Sequence, residues 1–270
     1  MELGLKGKKV VVTGASKGIG YAIAEEFLKE GAVVVISGRN KNDLKKAVEE
    51  LSKIAGADRI SGYALDGSKE EDTFLLGEKA AGKEGTIDVW INNIGTNKAR
   101  AGELYTNEEL DYLIEILFKS AVFGSQTAYR YMKKNGGSIV NIASLAARSA
   151  TCGRSTIYGA LKSAILGLTN TTAGEYAAYG IRVNAVMPGY TKTPLIAATF
   201  TKEDIDGLMV NNLIGRMAAP SEIAKPVVFL ASDAACYITA ASLEVSGGHD
   251  KVLNSRYSYE KRRMEERNDN

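Results

Sequence analysis

The sequence is poor in the side chains that build disulfide frameworks and metal centres. Among its 270 residues are two cysteines, Cys152 and Cys236, and one histidine, His249. Two cysteines so far apart exclude a disulfide framework and a zinc knuckle, and they suit a reducing cytosol. A Ser-His-Asp hydrolase or a multi-histidine metal site would depend on His249 alone, beside two glycines near the C-terminus, so we predict neither.

The sequence also lacks a large excess of either charge and a long hydrophobic run. Its 34 lysines and arginines face 32 aspartates and glutamates, which gives a formal net charge of +2. A protein that neutralises many phosphates needs clustered excess cations, so we expect no nucleic-acid partner. No stretch approaches the ~18 apolar residues of a membrane span, and the N-terminus lacks the apolar core of a signal peptide. We therefore expect a cytoplasmic protein without a membrane partner.

No proline-rich linker, internal repeat or low-complexity tract divides the chain. Short runs rich in valine and isoleucine recur instead, each followed by a longer amphipathic segment. Runs that are apolar on both faces are typical of parallel strands covered by helices on each side. They lie at 9–13, 32–37, 59–65, 87–91, 138–142, 182–186 and 242–245. The pattern predicts a single α/β domain over residues 1–249, built on a doubly wound parallel sheet.

Two stretches carry the pattern of a helix start. Ser68 with Glu71 and Thr106 with Glu109 each place a hydroxyl three residues before a carboxylate. Such pairs satisfy the free N–H groups of a first helical turn. Both are predicted to be capping boxes.

The composition changes at Asp250, where a charged C-terminal tail, 250–270, begins. It holds six lysines or arginines and five acidic residues, with Tyr257 and Tyr259 as its main bulky apolar surface. One interpretation is a frayed polar tail. The other is a segment whose tyrosines fold over a substrate mouth or a neighbouring subunit.

Glycines separate the first predicted strand from an amphipathic helix. Gly14, Gly18 and Gly20 lie in this turn. Glycines at such a place let the backbone approach a pyrophosphate, to which the helix N-terminus offers N–H groups and a partial positive charge. The alternative is a tight turn that binds nothing, but the strand before and the helix after are the context that a dinucleotide motif requires.

A second group of residues suggests acid/base chemistry. Tyr158 and Lys162 are four residues apart, so on a helix they share a face. A nearby ammonium favours phenolate over phenol, and we therefore expect Lys162 to lower the pKa of Tyr158. Ser144, after the fifth predicted strand, could hydrogen-bond the same substrate oxygen. Alone, a Tyr-x-x-x-Lys pair is usually a contact on a helix surface.

Together these motifs make the sequence resemble the short-chain dehydrogenase/reductase family over about residues 6–249. Any one match is weak, whereas eight in the right order are specific. In chain order they are Thr13-Gly-x-x-x-Gly-Ile-Gly20, Asp66, Asn92-Asn93-x-Gly95, Ser144, Tyr158-x-x-x-Lys162, Asn184, Pro188-Gly189 with Thr193, and Gly247-Gly248. The resemblance implies a seven-stranded Rossmann-type domain and a homotetramer. It also implies hydride transfer between a nicotinamide cofactor and a small-molecule alcohol or carbonyl.

The resemblance also assigns roles to individual residues. Tyr158 is the acid/base, Lys162 holds the nicotinamide ribose and tunes Tyr158, and Ser144 orients the carbonyl oxygen. Asp66 faces the adenine, Asn93 steadies the central cofactor site and Thr193 meets the nicotinamide amide. The full set expected to bind the cofactor is Gly14, Ser16, Lys17, Gly18, Ile19, Gly20, Arg39, Asp66, Asn93, Gly95, Tyr158, Lys162, Pro188, Gly189, Thr191 and Thr193.

The end of the second predicted strand indicates which cofactor is preferred. Enzymes that use NAD usually have an acidic residue there, which accepts hydrogen bonds from the adenosine ribose. This chain has Ser37-Gly38-Arg39-Asn40 instead. Arg39 and Lys17 are placed to meet a 2′-phosphate, unless they are simply solvated surface cations. We therefore predict NADP(H).

Several residues depart from the family pattern. Ile94 stands where alanine is usual, and its larger side chain either crowds the nicotinamide ribose site or is accommodated by the packing around it. Leu117 replaces an asparagine that, in the family, holds a water molecule that relays protons from the catalytic lysine. Either another group does this, with Ser120 a candidate, or the protein is a non-catalytic NADP(H)-binding sensor or assembly module. Ala240-Ala241 occupies the place of a usual glycine, which we interpret as a local packing difference.

The substrate is less well indicated. We expect the pocket to be lined from 94–102, 145–157 and 187–191, and by a helical lid at about 194–214. These segments mix apolar groups with the cations Lys98, Arg100, Arg148, Arg154 and Lys192. The mixture suits a bulky apolar ketone or secondary alcohol with an anionic tail, unless the cations form a solvated rim. A faint likeness to bacterial hydroxysteroid dehydrogenases favours a hydroxysteroid or bile acid over fatty-acyl, sugar or keto-acid substrates.

Overall fold

The computed structural model describes residues 2–96, 104–149 and 156–268. Seven parallel strands of these residues form one sheet in the order β3-β2-β1-β4-β5-β6-β7. The strands are β1 (Lys9–Val12), β2 (Val33–Gly38), β3 (Ile60–Ala64), β4 (Val89–Asn92), β5 (Gly137–Ile142), β6 (Ile181–Pro188) and β7 (Ser242–Val245). Each falls on one of the predicted runs. The predicted doubly wound seven-stranded sheet in a single α/β domain is therefore confirmed.

Helices cover both faces of the sheet because the strands are apolar on both faces. The helices are α1 (Gly18–Lys29), α2 (Lys41–Ala55), α3 (Glu70–Ala81), α4 (Asn107–Ile114), α5 (Ser120–Met132), α6 (Thr156–Tyr176), α7 (Pro194–Thr199), α8 (Lys202–Met209), α9 (Pro220–Ala231) and α10 (Tyr257–Asn268). In β1, Val10 and Val12 pack into a core with α1, α2 and α9, while Val11 faces a second core with α3, α5 and α6. No helix among the described residues is long and apolar enough to cross a membrane.

One of the two predicted capping boxes is present. At the start of α4 the Thr106 hydroxyl accepts a hydrogen bond from the Glu109 N–H, and the Glu109 carboxylate accepts one from the Thr106 N–H. The box predicted at Ser68 is wrong, because α3 begins at Glu70 with Lys69 as its N-cap. The Ser68 hydroxyl instead donates to the Asp66 carboxylate at 2.8 Å, which closes a local turn before the helix.

The strand order places a crevice at the centre of the sheet. The chain moves from β1 outward through β2 and β3, then returns to β4 on the other side of β1. Connections therefore leave the carboxyl ends of β1 and β4 in opposite directions, and ligands of open α/β sheets bind at such a switch point. The glycine turn follows β1 and Asn93 follows β4, so both lie at this crevice.

The predicted lid and tail lie against each other. Helices α7 and α8 occupy the predicted lid, and residues 210–215 form its base. The Ser255 hydroxyl donates to the Val210 carbonyl and the Tyr259 hydroxyl to the Leu213 carbonyl, each at 2.7 Å. Tyr259 of the tail thus contacts the base of the lid.

One backbone position near β7 is strained. Ala240 has a φ of 57°, in the left-handed region that side chains other than glycine rarely adopt. Its N–H is held by the Val183 carbonyl at 2.8 Å. The departure from glycine at this place is therefore a conformational cost as well as a difference in packing.

Candidate active site

The turn after β1 fits a ligand that approaches its backbone closely. Gly14 and Gly18 have φ values of 63° and 64°. A Cβ on Gly20 would lie 2.4 Å from the Asn93 amide nitrogen, which donates to the carbonyls of Thr13 and Gly14 at 3.0 Å each. Glycine is thus required for the turn, and Asn93 joins it to the end of β4.

The N-terminus of α1 has free capacity for an anion. Its N-cap, Lys17, makes no side-chain cap, and no acidic residue lies in the first turn. The N–H groups of a first turn carry partial positive charge and have no partner within the helix. With the glycine turn, they form the arrangement that binds dinucleotide phosphates elsewhere. The residues present therefore fit a dinucleotide cofactor.

Every predicted site residue lines one cleft of about 990 Å³. The cleft runs from the end of β2 across the crevice to the lid. The predicted residues on its wall are Gly14, Ser16, Lys17, Gly18, Ile19, Gly20, Arg39, Asp66, Asn93, Gly95, Ser144, Tyr158, Lys162, Pro188, Gly189, Thr191 and Thr193. Residues from six strand ends and two helices thus meet at one surface.

The three predicted catalytic side chains converge at the crevice. Ser144 follows β5, and its hydroxyl makes a hydrogen bond with Tyr158 on α6. The Lys162 ammonium lies 5.9 Å from the centroid of the Tyr158 ring and donates to the Ile142 carbonyl at 2.8 Å. Only 4% of Lys162 is exposed, so its charge is held inside the protein.

Burial sets the ionisation of Tyr158 and Lys162. Burial lowers the pKa of Lys162 from its ordinary value to about 8. Burial raises the pKa of Tyr158, and the hydrogen bond from Ser144 opposes this in part. The expectation that Lys162 lowers the pKa of Tyr158 is wrong for this geometry, since the ammonium points to the Ile142 carbonyl. Tyr158 is therefore held as a neutral phenol, the form that can donate a proton.

Leu117 lies in a π-helical turn, Glu115–Lys119, between α4 and α5. Only 1% of Leu117 is exposed, and it packs with Leu113 and Ile116 in an apolar cluster. The hydroxyl of Ser120 donates to the Ile116 carbonyl at 2.6 Å. That hydroxyl is thus bound to its own helix, and Leu117 provides no polar atom for a relay.

Ile94 belongs to the same apolar cluster. It packs against the cluster together with Tyr158 and Leu161. Its side chain also covers two glycines, because a Cβ on Gly67 would overlap the Ile94 Cδ1 and a Cβ on Gly14 would lie 3.2 Å from the Ile94 Cγ1. The two departures from the family pattern, at 94 and 117, therefore build one apolar floor beside Tyr158, and Ile94 is also part of the cleft wall.

The end of β2 carries cations and no strand-end carboxylate. Arg39 is exposed and lines the cleft. Lys17 lines it from the glycine turn, and its ammonium lies 4.0 Å from the carboxylate of Asp43, in the first turn of α2. An incoming phosphate would therefore compete with Asp43 for Lys17.

The substrate end of the cleft carries a different set of charges from the predicted one. Lys98, Arg100 and Arg154 lie outside the described residues, and neither Arg148 nor Lys192 is among the described lining residues. The lining there instead includes the carboxylates of Glu203, Asp204 and Asp250. The expected positive rim is thus not formed by the residues that the structure describes.

Sequence reasoning missed one lining residue of chemical interest, His249. From the sequence we considered His249 only as a member of a Ser-His-Asp triad or of a multi-histidine metal site, and predicted neither. In the structure it is buried in the wall of the cleft, beside Tyr190. Its position directly after Gly247-Gly248, a motif of the family pattern, was the signal available in the sequence.

Comparisons with known proteins find relatives over most of the chain. A family model described as enoyl-(acyl carrier protein) reductase matches residues 14–250. A 3α-hydroxysteroid dehydrogenase of Mediterraneibacter gnavus is 32% identical over 247 residues, which are 90% of this chain and 97% of that protein. The similarity therefore spans the whole cleft.

Two solved structures resemble the fold closely. The L-sorbose reductase of Gluconobacter frateurii, in complex with NADPH and L-sorbose, has a TM-score of 0.86 and 31% identity, and the match covers 94% of this chain and 100% of that one. A short-chain type dehydrogenase/reductase of Mycobacterium marinum has a TM-score of 0.85 and 28% identity, over 91% of this chain and 96% of that one.

Proposed function

Because this chain belongs to the short-chain dehydrogenase/reductase family and is an oxidoreductase, we propose that it transfers hydride between NADP(H) and a ketone or secondary alcohol. The observation that carries the proposal is the group of Ser144, Tyr158 and Lys162 at the wall of a cleft that fits a dinucleotide. A bound nicotinamide cofactor supplies the hydride.

The residues of the chain supply the proton and the orientation. The Ser144 hydroxyl donates a hydrogen bond to the substrate carbonyl oxygen, and Tyr158 donates its proton to that oxygen as it gains negative charge. The raised pKa of Tyr158 keeps the phenol protonated before this step. Lys162 binds the nicotinamide ribose, and the apolar floor at Ile94 and Leu117 keeps water from beneath the phenol.

We propose NADP(H) as the preferred cofactor. The support is the absence of a carboxylate at the end of β2 and the presence of Arg39 and Lys17 on the cleft wall there. A guanidinium can bind two phosphate oxygens at once, so Arg39 is suited to the 2′-phosphate. The similar L-sorbose reductase is a complex with NADPH.

The proposed substrate is a cyclic ketone or alcohol of the hydroxysteroid class, without the anionic side chain of a bile acid. The likeness to a 3α-hydroxysteroid dehydrogenase and the aromatic lining by Tyr190 and Phe200 support a bulky ring system. At the substrate end of the cleft, the carboxylate of a bile acid would meet no lysine or arginine among the described lining residues, so these residues suit a neutral hydroxysteroid better. We further propose that the protein is cytoplasmic and that it is a homotetramer. Static light scattering of the purified protein, which measures its molar mass, tests the number of subunits.

The test is oxidation of NADPH, followed by absorbance, with a panel of ketones that includes oxo-steroids and oxo-bile acids. Tyr158→Phe removes the proton donor but keeps the ring, so kcat should fall by about 10²-fold or more while the Kd for NADPH changes little. Tyr237→Phe, at a fully exposed tyrosine, is the matched control and should change neither. Turnover by Tyr158→Phe would contradict the assignment. NADPH binding without oxidation of any ketone would favour the alternative, a non-catalytic NADP(H)-binding sensor or assembly module.

A further inference from the structure

His249 lies in the wall of the cleft without a part in the chemistry described above. It is 4% exposed. The two glycines before it, Gly247 and Gly248, have φ values of 68° and 70° and turn the chain under the lid base. A Cβ on Gly248 would lie 2.7 Å from Leu213, and the Asn212 amide donates to the Ser246 carbonyl at 2.8 Å. The end of β7 is thus tied to the lid, and His249 is held at the cleft.

Three rings form a row along this wall. The His249 ring meets Tyr190 edge-on with 5.1 Å between centroids, and Tyr190 meets Phe200 of the lid edge-on at 5.9 Å. All three residues line the cleft. Aromatic rings in such a wall offer apolar surface to the C–H faces of a saturated ring system.

The two nitrogens of the His249 imidazole differ in their surroundings, since one lies near a carboxylate and the other has no hydrogen-bond partner in the part of the chain that the structure describes. Nε2 lies 3.2 Å from the Asp250 carboxylate. A carboxylate can only accept, so a neutral His249 that turns an Nε2–H group toward Asp250 has an acceptor at Nδ1. Nδ1 is buried and has no hydrogen-bond partner among the described residues. Buried polar atoms are nearly always paired, so this acceptor calls for a donor from a ligand.

The charges around the imidazole favour a neutral donor. Asp250 lies against the ring, and the carboxylates of Glu203 and Asp204 line the same end of the cleft. The lysines and arginines among the described lining residues are Lys17 in the glycine turn, Arg39 after β2, and Lys162 beside Tyr158. A carboxylate of the substrate would meet like charge here, whereas a hydroxyl can donate to Nδ1 without repulsion.

We propose that His249 determines substrate specificity by accepting, at Nδ1, a hydrogen bond from a hydroxyl of a neutral alicyclic hydroxyketone or the corresponding diol. The hydroxyl is a second one, distinct from the oxygen that Ser144 and Tyr158 hold. This inference rests on the proposed function, because it assumes that the cleft holds a substrate of that enzyme. The ring system of the substrate lies on the row formed by Phe200, Tyr190 and His249.

The test uses binding, so it does not depend on turnover. The protein is saturated with NADP⁺, and the Kd of trans-2-decalone, of its monohydroxylated positional isomers and of a decalone carboxylate is measured by calorimetry. Decalone has no hydroxyl group for the oxidised cofactor to act on, and any hydroxy isomer that is oxidised is recognised by the absorbance of the NADPH formed and left out of the comparison. We expect at least one hydroxy isomer to bind about 3- to 10-fold more tightly than decalone itself, the gain from one neutral hydrogen bond.

His249→Phe keeps a ring beside Tyr190 and removes the acceptor. The advantage of the hydroxy isomer should disappear in this variant, while the Kd of decalone and of NADP⁺ stays within about 2-fold. His249→Gln, which offers a carbonyl acceptor, should restore part of the advantage. If His249→Phe does not fold, His249→Leu replaces it. In turnover assays the loss should appear in KM more than in kcat.

Three outcomes would overturn the inference. They are an equal advantage of the hydroxy isomers in wild type and His249→Phe, tighter binding of the carboxylate than of any hydroxy isomer, and no binding of any decalone. Failure of the proposed function looks different. In that case NADPH is not oxidised by any ketone, while the difference in Kd between wild type and His249→Phe persists and supports the hydroxyl site.

Discussion

Replacing the buried lysine of the active site should make the protein more stable while removing its activity. Lys162 is almost fully buried, and burial holds its pKa at about 8 against an ordinary 10.5. Each pKa unit corresponds to about 1.4 kcal/mol, so keeping the ammonium charged costs the folded state about 3 kcal/mol at pH 7. Lys162→Met keeps the length and apolar packing of the side chain without the charge.

The lost hydrogen bond offsets part of this gain. The ammonium donates to the Ile142 carbonyl, and leaving that carbonyl without a partner costs about 1–2 kcal/mol. The expected net result is a free energy of unfolding about 1–2 kcal/mol higher for Lys162→Met at pH 7. Activity should be lost, since the cation is proposed to bind the cofactor ribose.

The difference should depend on pH in a definite direction. A base whose pKa is lower in the folded than in the unfolded state carries its full penalty below the folded value. Between pH 8 and 10.5 the unfolded state binds the extra proton, so the stability of the wild type rises with pH. At pH 9.5 the penalty falls to about 1 kcal/mol, and the advantage of Lys162→Met should largely vanish.

The assay is urea unfolding at pH 7 and pH 9.5, followed by the fluorescence of Trp90, the chain's one tryptophan, which is fully buried. Lys45→Met is the matched control, because the Lys45 side chain is 79% exposed, and it should change stability by less than about 0.5 kcal/mol at either pH. A less stable Lys162→Met at pH 7, or an advantage that is the same at both pH values, would refute the reasoning.

Three further changes test other parts of the structure. Arg39→Asp should lower the ratio of kcat/KM for NADPH to that for NADH by ~10-fold or more, through loss of a charged phosphate contact, and an unchanged ratio would mean that the phosphate binds elsewhere. Leu117→Asn should lower the free energy of unfolding by about 3 kcal/mol or more, because a polar amide replaces a buried leucine. Turnover by the folded variant should stay within an order of magnitude of the wild type. Activity that appears only in this variant would favour a non-catalytic NADP(H)-binding role for the wild type. Ala240→Gly should raise Tm by about 1–3 °C by relieving the positive φ, whereas Ala241→Gly, outside that region, should lower it; a lower Tm for both would contradict the strain.

The sequence by itself determined the sheet and the order of the motifs. Strands such as β1 and β5 were predictable because apolar runs and the segments after them are local patterns, which a single stretch of chain carries. The glycine turn at Gly14 and the pair Tyr158 and Lys162 were predictable for the same reason, since their spacing along the chain decides which face they share.

Only the tertiary structure decided what these residues contact. The direction of the Lys162 ammonium toward the Ile142 carbonyl depends on how α6 packs against β5, and the raised pKa of Tyr158 comes from its burial there. The Ser68 hydroxyl bonds Asp66 instead of capping α3 because the loop turns back on itself. His249, Tyr190 and Asp250 meet where the end of β7 passes beneath the lid. Burial and partners at such places come from segments distant along the chain, which local patterns do not record.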